Sequence, residues 1–281
     1  MMIKKLLPLT LSLLCAAAGA QTQTPAEASA TAVAPAPTPA VTGNFNVVSD
    51  YRFRGIAQSW GQPAVQGGID YTHASGFYLG NWNSSVSSNS YNNGASLEMD
   101  LYGGYRFEPV KDWAVDIGVL RYQYPGARLN SAPGTPTGEK YDNTELYVGL
   151  TQGPFNAKLS YAVTDYFGLN STTAGYAYWN SLPARGDSKG TTYLDLNYNA
   201  DMGNQLTLGL HLGYTSVHNY GELSYADYKL SLAKAVGGFN LGLALVGTNA
   251  DTTFYQAGNS AGLDPQKLGK TALVLSVGKT F

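Results

Sequence analysis

Thr271-Ala272-Leu273-Val274-Leu275-Ser276-Val277-Gly278-Lys279-Thr280-Phe281 decides the fold, because apolar residues fall at every second position and the stretch stops on an aromatic. Side chains along a strand alternate with period two, so Leu273, Leu275, Val277 and Phe281 share one face. That face suits lipid, and Phe281 suits the aromatic girdle at the rim of a membrane barrel. The same four residues form the expected C-terminal barrel-assembly signal. A half-buried soluble strand alternates in the same way, so the other end of the chain supplies the weight.

Lys4 and Lys5 precede a short apolar run, Leu6 to Ala18, and Ala18-Gly19-Ala20 before Gln21 fits a small-residue cleavage site. Residues 1–20 are therefore expected to be a signal peptide that is cleaved on export. The run is too short to span a bilayer, and nothing downstream approaches the roughly 20 apolar residues that a spanning helix needs. Cys15 is the single cysteine and lies inside the signal, behind Leu13-Leu14 rather than a small residue, which argues against lipidation. The mature chain then has no thiol for a disulfide, a metal or a nucleophile.

Residues 21–43 are rich in Ala, Pro and Thr, with Pro25, Pro35, Pro37 and Pro39 and almost no bulky side chain. Such a segment buries too little to fold and is expected to be a disordered periplasmic leader. Residues 44–281 are expected to form the barrel.

Charged residues make up only 13% of the chain, beside 33 Gly and 21 Tyr. Ordinary soluble proteins carry about 25%. Mean hydropathy is nonetheless −0.16, as when lipid-facing residues are matched one for one by polar lumen residues. Removing Lys4 and Lys5 from the 17 basic residues leaves 15 against 19 acidic, a formal net charge of −4. No basic field for nucleic acid exists.

Alternating runs of membrane-strand length recur near 44–55, 62–73, 77–87, 95–107, 112–123, 141–152, 155–166, 190–200, 204–217, 224–236, 238–249 and 269–281. The fold class is thus all-β: a transmembrane antiparallel up-and-down barrel of about twelve strands. Short connections such as Ala74-Ser75-Gly76 and Gly153-Pro154 alternate with long ones such as Tyr124 to Lys140, Phe167 to Lys189 and Ala250 to Leu268. Short turns face the periplasm and long loops the exterior.

Faces follow from parity. Leu97, Met99, Leu101, Tyr105 and Phe107 oppose Glu98, Asp100, Tyr102 and Arg106, while Phe45, Val47, Tyr51 and Phe53 oppose Asn46, Asp50, Arg52 and Arg54. Charges fall inward, as they must where a lipid-facing Arg or Lys costs about 2 to 4 kcal/mol at mid-bilayer. Lys234 and Lys279 have outward parity at periplasmic ends, where their stems can snorkel. Arg121 has outward parity at the exterior rim. The lumen candidates are Asp50, Arg52, Arg54, Asp70, Glu98, Asp100, Arg106, Asp116 and Glu145, with Lys158, Asp195, Asp227 and Lys229 also inward. Twelve strands imply a narrow or partly occluded passage.

Chemical motifs are few. Gly186-Asp187-Ser188-Lys189-Gly190 has the letters of a nucleophile elbow but lies in a long loop without the strand-to-helix turn that chemistry requires. His73 sits at a periplasmic turn, His211 in the lumen and His218 in a loop; a catalytic base at His211 or His218 would mark an outer-membrane hydrolase. The acidic residues Glu98, Asp100, Asp116 and Glu145 lack a calcium-loop spacing. No catalytic residue, metal or cofactor is expected.

Ser49-Asp50-Tyr51-Arg52-Phe53-Arg54-Gly55-Ile56, Pro63 to Tyr71, Gly76 to Trp82, Glu98 to Tyr105 and Tyr122-Gln123-Tyr124-Pro125-Gly126 together resemble the TorF porin family, also called Gcw_chp proteins of proteobacterial outer membranes. The resemblance covers residues 44–281 and supplies no catalytic residues. It implies a Gram-negative outer-membrane protein. The expected function is a narrow porin-like channel for passive diffusion of small hydrophilic solutes or ions. Expected partners are outer-membrane lipid and lipopolysaccharide, the barrel-assembly machinery and the solutes themselves. The alternative is a non-conducting surface barrel that binds a partner through long loops bearing Tyr176, Tyr178, Trp179, Phe254 and Tyr255.

Overall fold

The structure is a computed structural model that describes residues 40–90, 95–129, 138–176, 179, 181–258 and 264–281. The expected signal peptide, the leader up to residue 39 and Tyr178 lie outside the described residues. In chain order the strands are β1 (Ala40–Val48), β2 (Arg52–Phe53), β3 (Ile56–Ala57), β4 (Ala64–Thr72), β5 (Phe77–Ser85), β6 (Leu97–Val110), β7 (Trp113–Gln123) and β8 (Asn143–Gln152). There follow β9 (Phe155–Ala162), β10 (Thr192–Asp201), β11 (Leu206–Ser216), β12 (Tyr225–Val236), β13 (Phe239–Thr248), β14 (Gln256–Ala257), β15 (Gln266–Lys267) and β16 (Ala272–Thr280). No helix among the described residues is long and apolar enough to cross a membrane.

Twelve strands close into one antiparallel barrel, in the order β1-β16-β13-β12-β11-β10-β9-β8-β7-β6-β5-β4 and back to β1. The pairs β2-β3 and β14-β15 stand apart from it. Closure leaves no open sheet edge, the one arrangement in which a β-structure could sit in lipid. On one rim the turns are tight. Gly237 and Gly238, with φ of 60° and 81°, join β12 to β13 directly after the Val236↔Phe239 pair. Two successive positive φ values suit the twist of a two-residue hairpin, and glycine takes them without penalty.

Outward side chains form an apolar belt that includes Leu101, Ile117, Val148, Leu159, Leu196, Leu212, Leu230, Leu243 and Leu275, all exposed on the barrel wall. Aromatics collect at the tight-turn rim. Phe77 meets Tyr105 at 4.8 Å and Phe155 meets Tyr198 at 4.8 Å. Lys279 lies over the Phe239 and Phe281 rings at 5.5 and 5.4 Å. At the opposite rim, Arg121 faces out and pairs with Asp142 at 3.0 Å.

Two expectations are corrected. The leader does not run to residue 43: Ala40 to Gly43 belong to β1 and pair with Thr72 to Ile69 of β4. Without them the last turn of β4 would be a bare edge in the wall. The first barrel strand likewise ends at Val48 rather than continuing to residue 55. Beyond it the chain leaves the wall and folds into the lumen, so Tyr51 and Phe53, expected on the lipid face, are 0% and 7% exposed inside the barrel. Arg54 and Gly55, with φ of 46° and 77°, make a left-handed turn that an extended strand cannot contain.

Candidate functional site in the barrel lumen

The in-turned segment runs from Ser49 to Trp60 and is buried from Asp50 onward. Its tip is the small hairpin β2-β3, with Arg52↔Ala57 and Phe53↔Ile56 in register. Arg52 holds the near side: its Nε donates to Asp50 Oδ2 at 2.5 Å, and Nη1 donates to the carbonyls of Leu268 and Lys270 at 2.9 Å each. Arg54 holds the far side. Its Nη2 donates to Glu145 Oε2 of β8 at 2.7 Å and its Nη1 to the Tyr166 hydroxyl at 3.1 Å, while the guanidinium lies 4.1 Å from the centre of the Tyr193 ring on β10. β8 lies five strands from β1 around a twelve-strand wall, so the segment spans the lumen.

Gly55 shows how closely the tip is packed. A Cβ at that position would stand 2.4 Å from Thr248 Cγ2 and 3.0 Å from Asp227 Cβ, leaving room for glycine alone. Between the two arginines, the Tyr51 hydroxyl donates to Glu98 Oε1 at 2.9 Å and the Tyr124 hydroxyl to Glu98 Oε2 at 3.1 Å. Phe53 meets Tyr122 at 5.4 Å and Phe167 at 5.7 Å. Asp100 is fully buried beside this layer.

Toward the tight-turn rim the side chains of Arg106 and Asp116 pair at 2.8 Å yet keep 13% and 22% exposure, more than the pairs made by Arg52 and Arg54. Tyrosine rings lie against glycines of neighbouring strands here: a Cβ on Gly80 would stand 2.3 Å from Tyr102 Cζ, and one on Gly104 would stand 2.5 Å from the Tyr78 hydroxyl. The missing side chains make the space the rings occupy. This arrangement points the hydroxyls at carboxylates, with Tyr78 donating to Asp116 at 2.6 Å and Tyr102 donating to Asp70.

On the facing wall, His211 of β11 sits between Asp195 at 3.0 Å and Asp227 at 2.6 Å, and Lys158 reaches Asp195 at 3.8 Å. The lumen is therefore lined by opposed charges on both sides of the segment.

The structure thus places Asp50, Arg52 and Arg54 on the in-turned segment rather than on the first barrel strand, and Asp70, Glu98, Asp100, Arg106, Asp116 and Glu145 on β4, β6, β7 and β8 facing inward. Arg54 and Glu145, nearly a hundred residues apart, meet directly. Parity alone had marked Tyr102; Tyr78, Tyr147 and Tyr193 were legible by the same parity and gained meaning only from the glycines beside them. Leu273, Leu275, Val277 and Phe281 all point outward and are exposed.

Ser188 has a structural role. Its hydroxyl donates to the Leu169 carbonyl at 2.6 Å and accepts from the Tyr166 amide at 2.7 Å, and neither bond involves a histidine. Among the described residues, no three His, Cys, Asp or Glu side chains converge as a metal site would need. In the exterior loops, Arg185 and Glu222 pair at 2.5 Å; the hydrogen bond from Arg185 lowers the Glu222 carboxyl below its ordinary value and raises the guanidinium.

Residues 31–281 match the family described as "Bacterial protein of unknown function (Gcw_chp)". No curated protein sequence matches the chain. Among solved structures, the chain is similar to the KdgM porin at 10% identity and a TM-score of 0.48, covering 85% of this chain and 98% of that one. The NanC porin follows at 9% identity and 0.46, covering 86% and 98%. Outer membrane phospholipase A from Escherichia coli is similar at 13% identity and 0.39, covering 86% and 96%.

Proposed function

From the premise that the chain belongs to the Gcw_chp family, we propose that it is an outer-membrane, porin-like channel for passive diffusion of small hydrophilic solutes or ions. The carrying observation is a closed barrel, apolar outside, whose charged lumen is crossed by one segment that two arginines at its tip anchor to two sides of the wall. Opposed charges at a constriction set ion preference by position rather than by net charge. Asp50, Arg52, Arg54, Glu98, Asp100 and Glu145 form the constriction in this reading, and Asp70, Arg106 and Asp116 line the vestibule below it.

The porin assignment carried by the TorF name belongs to the same proposal, as do export through the signal at residues 1–20 and lipid and lipopolysaccharide around the belt. So does recognition of Leu273, Leu275, Val277 and Phe281 by the assembly machinery. One observation favours a second reading, a non-conducting barrel that binds a partner through its loops: the residues from Asp50 to Trp60 are all buried, so the resting lumen is nearly filled at that level. The deciding experiment is single-channel conductance of refolded residues 21–281 in a planar bilayer under a salt gradient. Discrete steps whose ion preference changes when Arg52 and Arg54 are replaced by Glu support the channel. A heat-modifiable, folded barrel that never conducts supports the loop-binding reading.

A further inference from the structure

Above the constriction, on the long-loop side, lies a cavity of about 310 Å³. Its walls come from separate parts of the chain: Phe53 and Ile56 to Gln58 of the in-turned segment, Tyr166 and Phe167 of a 3-10 turn, Leu223 and Tyr225 at the head of β12, and the Thr253 to Gly258 loop. Its chemistry differs from that of the charged layer beneath it. Among the described residues the lining holds no Asp, Glu, Lys, Arg or His, although the layer directly beneath is built from Arg52, Arg54, Glu98 and Glu145.

Aromatic rings supply the walls instead. Tyr166 and Phe167 meet edge to face at 4.7 Å, and Tyr225 and Tyr255 at 5.0 Å, with Phe254 alongside. The Tyr255 hydroxyl donates to the Leu223 carbonyl at 2.6 Å, which fixes that ring against the loop. Polar groups are confined to amides and hydroxyls, among them Gln58, Ser90, Thr253 and Gln256.

Fixed rings with a few neutral hydrogen-bonding groups suit a ligand with a flat apolar face and a polar edge. A charged ligand would lose its hydration in this cavity without finding a counter-ion in the lining, since the nearest guanidinium, Arg54, is already paired with Glu145. We propose that the cavity is a binding site for uncharged, ring-bearing solutes, with neutral glycosides as the ligand class. The site lies immediately above the segment through which a solute would pass, so this assignment deepens the channel reading and names its cargo. A solute held here is selected for neutrality before it meets the charged layer.

The test is calorimetric titration of refolded residues 21–281, in a zwitterionic detergent, with para-nitrophenyl β-glucoside and with para-nitrophenyl β-glucuronide, which differ by one carboxylate. The glucoside is expected to bind at least tenfold more tightly. Phe254→Ala removes one ring wall and is expected to weaken glucoside binding roughly threefold to tenfold, the worth of one aromatic contact. Thr253→Trp, at an exposed position on the rim, should fill the cavity and abolish binding while leaving the barrel heat-modifiable. Equal or tighter binding of the glucuronide overturns the proposal, as does absence of heat from either compound with folded protein, or glucoside binding unaffected by both substitutions. The titration needs no conduction: binding in a barrel that never conducts upholds the site and sinks the channel, whereas conduction without binding sinks the site alone.

Discussion

Arg54→Ala tests whether the in-turned segment is the constriction. The change deletes the 2.7 Å pair with Glu145, the 3.1 Å bond to Tyr166, and the stacking on Tyr193 at 4.1 Å and on Phe53 at 4.8 Å. Glu145 keeps the Asn143 amide at 3.1 Å but loses its buried counter-ion. Removing one partner of a buried ion pair costs about 3 to 5 kcal/mol. None of these contacts belongs to the barrel ladder, so the cost falls on the docked hairpin. At about 1.4 kcal/mol per factor of ten, the docked-to-undocked ratio drops by roughly two to nearly four powers of ten. The hairpin then leaves the far wall for a substantial part of the time, and unit conductance in a planar bilayer rises. Arg54→Ala with Glu145→Gln should recover part of the parent conductance, because no buried carboxylate is left unpaired. Arg54→Lys should resemble Arg54→Ala more than the parent, since an ammonium supplies neither the planar fork nor the stacking face. A correctly folded Arg54→Ala barrel with parent conductance would refute the reasoning.

Gly55→Ala places a methyl 2.4 Å from Thr248 Cγ2 at a φ of 77°; overpacking of about 1 to 3 kcal/mol should expose the Ser49 to Trp60 segment to protease while the wall stays resistant, and an unchanged digestion pattern would contradict the close packing of the tip. Leu275→Arg, on the outward face of β16, should destabilise the barrel in vesicles by about 2 to 4 kcal/mol, measured by denaturant unfolding; no loss would mean that this face does not meet lipid. Glu222→Gln tests the exterior Arg185 pair. The Glu222 carboxyl is lowered by Arg185, so the pair is fully formed above the ordinary carboxylate range and is lost only as pH falls through the depressed value. Protease resistance of that loop should therefore weaken at acid pH in the parent and become insensitive to pH in Glu222→Gln, with conductance unchanged in both.

The barrel was legible because lipid permits so few arrangements. Alternation from Leu97 to Phe107 or from Leu206 to Tyr214 has one physical reading once helices are excluded by length, and the parity of Asp116 and Glu145 then points them inward. The same rule failed at Tyr51 and Phe53. Their period-two spacing with Arg52 and Arg54 is that of a strand, and a short hairpin inside a lumen keeps the same period, so parity could not separate wall from interior. A signal was present in Gly55, Gly61 and Pro63, which crowd turn-forming residues into a stretch too short for two membrane strands. The leader failed for the opposite reason: Ala40 to Gly43 have no bulk of their own and become strand only because β4 requires a neighbour. Contacts such as Arg54 to Glu145 depend on how far the hairpin reaches across the barrel, which no local pattern encodes.

The seam between β1 and β16 has a kinetic consequence. Asn44↔Thr280 through Val48↔Ser276 join the two ends of the barrel sequence, and Gly43 and Phe281 exchange backbone bonds at 3.1 and 2.8 Å. Every other wall pairing joins wall strands consecutive along the chain, so hairpins such as β12-β13 can zip early at small entropic cost, whereas the seam must close a loop of more than two hundred residues. Until it does, the chain is an open sheet with two raw edges, able to pair with any passing strand. Closure is then the expected slow event in folding, and the time it takes sets how long the unfinished barrel must be shielded from its neighbours.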